Sequence, residues 1–375
     1  MRRFFFTGLF LLILVVPMAG FFLGIKVESS DRRELAGRPA LKISSIRDRS
    51  FFSNYEKYFS DHFAFRGWLI RAKSSIDLSV FRTAAAKNLH VGLNGWLYFK
   101  KEIDDFKKDA CGDRDRMRET ARKLKELENI IESSGKKFIF FVAPNKMTVY
   151  PEHAGVIADS PCGKSRYDLL LEAMEDYPLR NFLRLDTLFG SRKGERQLYM
   201  KNDSHWSANG AKIVADEVMA RTVPGLPIYQ PKTLDGMVRY TGGDLAEMTT
   251  IRLNETFQDL QVTGYPYGVS IEKLKPLKYS GWVPMKYTVD AVSSAVLAPR
   301  AIFFCDSFMF MPLKFLQGSF ERIDVIWSKV VPVPEKIEEL QAARIVVIEA
   351  VERDLGELDI DLDAARSALL SAAAN

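Results

Sequence analysis

A chain of 375 residues, 47% hydrophobic and 27% charged, can bury a full core and is long enough for one large domain with an anchor, or for two modest domains. Its net charge of +5 is mild for that length. With no arginine-rich tract or aromatic–basic ladder, it gives no argument for nucleic acid as a partner. The sequence has no CxxC and no HExxH, so it carries no metal-site signature, and no cofactor is expected.

Arg2 and Arg3 precede an uncharged apolar run from Phe4 to Ile25. As a helix, those roughly 22 residues span roughly 33 Å, against a hydrocarbon core of about 30 Å. A cleavable signal peptide has a shorter apolar region and a small-x-small exit, and Met18-Ala19-Gly20 is a weak one. Residues 1–25 are therefore expected to form an uncleaved transmembrane anchor. The two arginines ahead of it favour a cytoplasmic N-terminus and an exported body, although Lys26, Arg32 and Arg33 dilute that asymmetry.

Residues 26–90 read as a juxtamembrane linker followed by one or two helices. Phe52, Tyr55, Tyr58, Phe59, Phe63, Phe65 and Trp68 recur near helical spacing. Packing of this aromatic face on the body is the expectation, with a membrane-surface role as the alternative. Beyond it, Asn94-Gly95 within Val91–Phe99 predicts a hairpin, and the period of Met117, Leu124, Leu127 and Ile131 predicts a helix over 114–134 that Gly135 stops. Lys137–Ala143 is an apolar run too short for a helix and reads as a buried strand. A helix near 167–177 and a strand at 181–186 follow, and a short apolar run, read as a further strand, then leads into the polar loop around His205.

Residues 224–299 are rich in Gly, Pro, Thr and Tyr and read as an irregular insertion with hairpins. Alternation returns with strands at 301–305, 323–327 and 344–349 and helices near 309–317 and 335–342. Residues 91–375 are thus expected to be one α/β domain with a mainly parallel sheet covered on both faces. Cys111 and Cys162 flank one helix–strand unit and could pair, or could stay as two thiols, while Cys305 reads as a small core residue.

Catalytic groups in such sheets collect at the C-terminal ends of strands. Ser307 leaves the strand AIFFC where a helix begins. Asp203 and His205 sit in a loop entering the helix at 211–221. Together they can form a nucleophile, a base and an orienter.

In order, the pieces FSDHFAFR, Gly92 to Tyr98, Pro144-x-Lys146 with Tyr150-Pro151, Asp203-x-His205-Trp206, Gly243-Asp244-Leu245 and Asp306-Ser307-Phe308 resemble the SGNH-hydrolase-like proteins of alginate O-acetylation (the AlgX and AlgJ type). The resemblance implies a three-layer α/β/α fold. It also implies the permuted motif order seen here, with Asp-x-His before Ser. Cys305 stands where that family often has glycine. The activity implied is O-acetyl transfer to an exported polysaccharide through an acetyl-serine. Ser307 would be the nucleophile, His205 the base and Asp203 its orienter. Lys146, Tyr150, Asn145 and Gly243 would serve substrate or oxyanion binding beside the Ser307 N–H, with loop capping and packing an equal alternative for Lys146 and Tyr150. The implied setting is a periplasmic domain on a single-pass inner-membrane anchor, with a membrane-bound O-acyltransferase supplying the acetyl donor. An acetylesterase shares every one of these residues. A polysaccharide-binding scaffold with a vestigial site is the alternative outside enzymes.

Overall fold

The computed structural model describes residues 2–24, 35–40, 49–107, 110–155, 163–225, 231–265, 268–277, 283–289 and 296–369. Its strands follow the apolar runs. In chain order they are β1 (Leu89–Val91), β2 (Leu97–Phe99), β3 (Lys137–Ala143), β4 (Phe182–Leu183), β5 (Lys232–Thr241), β6 (Asn254–Gly264), β7 (Val269–Lys273), β8 (Met285–Val289), β9 (Ala301–Cys305), β10 (Arg322–Trp327), β11 (Val330–Val331), β12 (Ile345–Val351) and β13 (Asp359–Ile360). The main sheet runs β4-β3-β12-β9-β10-β8-β7.

From β4 to β10 all neighbours are parallel. β8 then pairs antiparallel with β10, and β7 antiparallel with β8. The sheet is therefore mixed: mainly parallel, as expected, but not strictly so. The two antiparallel strands come from the stretch expected to be an irregular insertion. That stretch also holds the long β5–β6 hairpin. Burial explains the division. Every residue of β9 and β12 is buried, as a parallel strand covered on both faces requires, whereas β7 is mostly exposed.

Period-2 alternation sorts the parallel strands into two cores. Ile139, Phe141, Phe303, Val325 and Val347 face one side, with the helices Ala208–Thr222 and Phe310–Leu316 over them. Phe138, Phe140, Ile302, Phe304 and Ile348 face the other, beneath Arg114–Ser133, Arg166–Asp176 and Leu362–Leu369. The result is helix, sheet, helix. Each buried phenylalanine of β9 contributes roughly 1.5–3 kcal/mol relative to exposure, which fixes the central strand that leads to Ser307.

Residues 87–246 and 253–375 form one compact unit, which contains the whole sheet; residues 1–86 with 247–252 form another. In the latter, α1 (Arg2–Phe22) includes an apolar stretch, Phe4–Phe22, of mean hydropathy 2.4, long enough to cross a membrane. It is followed by α2 (Arg49–His62) and α3 (Arg66–Ile76), which continues into a wider turn at Asp77–Phe81. Cys111 has no described side chain and Cys162 lies outside the described residues, so the Cys111–Cys162 pairing falls outside them as well.

Candidate active site

β9 ends at Cys305, and the chain turns at once. The Asp306 carboxylate accepts the Phe308 N–H at 2.9 Å and the Val351 N–H at 2.9 Å, while the Asp306 N–H donates to Glu349 at 2.9 Å. A short side chain that caps its own turn and ties it to β12 leaves Ser307 little freedom. Cys305 is a buried free thiol whose pKa burial pushes well up, so it packs as an inert small residue and the turn forms without a glycine.

The His205 loop was expected just beyond a sheet strand. Instead, the only pairing around it among the described residues is an isolated antiparallel bridge, Tyr199 with Trp206. Side chains hold the loop in place of a ladder. Trp206, fully buried, meets Phe189, Tyr199 and Phe308 edge-on. Ser207 caps the following helix with Asp259 of β6, which accepts the Ala208 and Asn209 N–H groups at 3.1 and 2.7 Å.

His205 Nε2 lies 2.8 Å from Ser307 Oγ, and His205 Nδ1 lies 2.7 Å from Asp203 Oδ1. The same Asp203 oxygen accepts the His205 N–H at 2.9 Å, and its other oxygen accepts the Asp244 N–H at 3.0 Å. Burial raises the Asp203 pKa. The His205 contacts and the two N–H donors outweigh it and hold the carboxyl well below its usual range. Asp203 thus stays an acceptor, fixing Nδ1 as the donor and leaving Nε2 to take a proton from the serine. A relay of this geometry can generate an alkoxide and stabilise the imidazolium that results.

The substrate-binding expectations meet a different arrangement. Lys146 is fully buried, and its Nζ donates to the carbonyls of Met200, Lys201 and Asp203 at 3.0, 3.2 and 2.6 Å. Burial lowers its pKa to about 8 against the pull of Glu102, Asp244 and Asp203. Lys146 therefore holds the loop that carries Asp203. Tyr150 is also buried. Its hydroxyl accepts the Leu198 N–H at 2.9 Å and its ring packs on Trp96. Asn145 is buried too, with its N–H on Glu352 at 2.8 Å. Gly243 takes a φ of +115°, and a Cβ there would come within 2.4 Å of the Asn202 carbonyl oxygen. Only glycine fits so close to the loop, and that approach brings the Asp244 N–H onto Asp203.

Asp244, not assigned a role from sequence, binds the Ser204 N–H at 2.6 Å and the Ser204 hydroxyl, and its Oδ2 lies 3.7 Å from His205 Nδ1. Asp203, His205 and Asp244 place three potential ligand atoms within 4.8 Å, a spacing open to a metal ion. Both carboxylates already accept N–H donors, which suits the proton relay better. Glu349 and Arg353 were also missed. A lone carboxylate in the apolar run IVVIEAV was the available signal. Burial and the neighbouring Asp306 push the Glu349 pKa well up. Arg353 stacks over Phe308 at 5.1 Å and donates to Glu102 at 3.0 Å.

Residues 89–265 match the family model of the SGNH hydrolase-like domain of acetyltransferase AlgX. The chain resembles that SGNH-hydrolase-like acetyltransferase family. The matched stretch holds Asp203, His205 and Asp244 and ends before Ser307. A protein of Pseudomonas syringae pv. tomato named probable alginate O-acetylase AlgJ is 21% identical over 175 residues, 46% of this chain and 43% of that protein. Its namesake in Pseudomonas aeruginosa is 24% identical over 217 residues, 55% of this chain and 51% of its own. The chain thus spans about half the length of the curated relatives it matches. Among solved structures, the O-acetyltransferase domain of Pseudomonas putida AlgJ is 17% identical, covers 76% of this chain and 99% of its own, and has a TM-score of 0.48.

Proposed function

We propose that the protein is an O-acetyltransferase of the SGNH-hydrolase type that acetylates hydroxyls of an exported, alginate-like polysaccharide. The observation that carries the reading is the continuous line Asp203–His205–Ser307, with contacts of 2.7 and 2.8 Å. His205 Nε2 takes the proton of Ser307 as Oγ attacks the acetyl carbonyl. The oxyanion meets the Ser307 N–H at the start of its turn. The donor's leaving group departs with the proton from His205. A sugar hydroxyl then gives its proton to the same nitrogen and attacks the acetyl-serine, which restores Ser307. If water takes the place of the sugar, the same steps make an acetylesterase.

The relatives' name, alginate O-acetylase, supports the choice of a uronate-type acceptor. The apolar helix α1 supports a single-pass anchor in the inner membrane with the sheet domain in the periplasm. A membrane-bound O-acyltransferase would then be the source of the acetyl donor. Ser307→Ala and His205→Ala should each lower turnover of a model acetyl ester by about 10⁴-fold or more at unchanged melting temperature. Turnover that survives in either variant would sink the relay, and an unaltered protein with no turnover at all would favour a saccharide-binding scaffold.

A further inference from the structure

In most surface helices only one side is apolar. α3 has two apolar sides. Gly67 is buried, and Ile70 and Leu78 are half-buried, on one side. On the other side Trp68, Ala72, Ile76 and Val80 follow at four-residue spacing and line one ridge. Trp68 is 62% exposed, Val80 67%, and Ile76 and the adjoining Phe81 are exposed as well. An apolar ridge capped by an exposed tryptophan has no explanation in the packing of this unit, since the described residues leave it open.

The same compact unit contains α1. Near the end of α1, Phe21 packs edge-on against Phe59 of α2 at 4.8 Å and lies 6.1 Å from Tyr58. The C-terminal end of α2 therefore meets the end of α1, and only residues 63–65 separate α2 from α3. A bilayer crossed by α1 would have its headgroup layer beside these aromatic residues, at the depth where Trp and Tyr rings settle.

We propose that the Trp68–Ile76–Val80 ridge of α3 lies in the headgroup–acyl boundary of the membrane that α1 crosses. This rests on the reading of α1 as a membrane anchor. The ridge would hold the juxtamembrane unit flat on the bilayer, as amphipathic interfacial helices do. That is the alternative to the packing on the body which the aromatic spacing alone favours.

The test uses the full chain with Trp282→Phe, so that Trp68 is compared only with buried tryptophans, reconstituted in vesicles whose phosphatidylcholine carries bromine atoms high in the acyl chain. Trp96, Trp206 and Trp327 are buried in the protein and should be silent to that quencher. Trp68→Phe should remove most of the bromolipid-quenchable emission, and Trp68 should be shielded from aqueous acrylamide. A Trp68 that answers to acrylamide and not to bromolipid overturns the contact. So does one shielded from both, which means that protein covers it. Alkaline carbonate extraction of the same chain separates the two readings. A chain that stays in the pellet while Trp68 fails the quenching test loses only the ridge contact. A chain that carbonate releases loses the anchor, and the proposal with it.

Discussion

At the scale of single residues, Asp203 does two jobs with two oxygens. One orients His205 through Nδ1 and its backbone N–H, and the other binds the Asp244 N–H. Asp203→Asn keeps the shape but offers an amide N–H where an acceptor is needed, which favours the wrong imidazole tautomer. Turnover of an acetyl ester should fall by roughly 10⁴-fold, as triad carboxylates generally show. The far-ultraviolet spectrum should stay native. A loss below tenfold would mean that Asp244, 3.7 Å away, can orient the ring instead. Lys146 gives a second test. Lys146→Met strips donors from three carbonyls, each worth about 1 kcal/mol or more, and should lower stability by about 2–4 kcal/mol in denaturant unfolding. Turnover should drop through kcat with little change in KM, because the loop that carries Asp203 loosens. A rise confined to KM would restore Lys146 to the substrate groove.

These residues also mark where the sequence is legible. Asp203, His205 and Ser307 stand out because carboxylate, imidazole and hydroxyl fall beside polar turns at element ends, in a recognisable order. Lys146 misleads because a lysine after a strand looks the same whether it faces solvent or three buried carbonyls. Burial is set by Trp96 and Tyr98, nearly fifty residues earlier in the chain, whose rings its ammonium faces at 5.8 and 5.4 Å. No local pattern encodes that.

Among the elements, the strongly periodic helices and the buried strands β3, β9, β10 and β12 match their apolar patterns, since burial on two faces leaves a continuous run. β7 and β8 do not, because the edge strand β7 is mostly exposed and its neighbour β8 mostly half-buried, and their residues read as hairpin. β12 also runs on beyond its predicted end at Glu349 to Val351, into the segment that carries Glu352. Glu352 accepts the Asn145 N–H and the Thr148 hydroxyl at 2.8 and 2.6 Å beside a cavity of about 20 Å³. Burial raises its pKa from 4.5 to about 7. The folded chain therefore holds a proton that the unfolded chain releases between those values. Stability from this group is complete below 4.5 and is lost as pH rises through 7, by at most about 3 kcal/mol. Glu352→Gln keeps the shape without the titration, so the slope of stability between pH 4.5 and 7 should flatten. An unchanged slope would assign it to another buried carboxyl, such as Glu102 or Glu349.

For the molecule as a whole, charge bears on which acceptor the proposed acetyl transfer would use. With 53 basic and 48 acidic side chains the chain carries a net +5, too little for strong capture of a polyanion but enough for a weak pull. The acetyl ester of the first half-reaction is neutral, so salt should leave its turnover alone. A uronate oligosaccharide is anionic, and charges beyond about 10 Å are screened at 0.1 M salt. Raising salt from about 10 mM to about 0.3 M should therefore lower kcat/KM for acetyl transfer to the oligosaccharide by a few-fold. Hydrolysis of the same donor should not change. Mass spectrometry of the acetylated glycan, read against released acetate, measures both in one reaction. Released acetate with no acetylated glycan at any salt concentration would mean that water is the acceptor and the protein an esterase. A salt-sensitive transfer rate beside a flat hydrolysis rate identifies the sugar as the partner that His205 deprotonates.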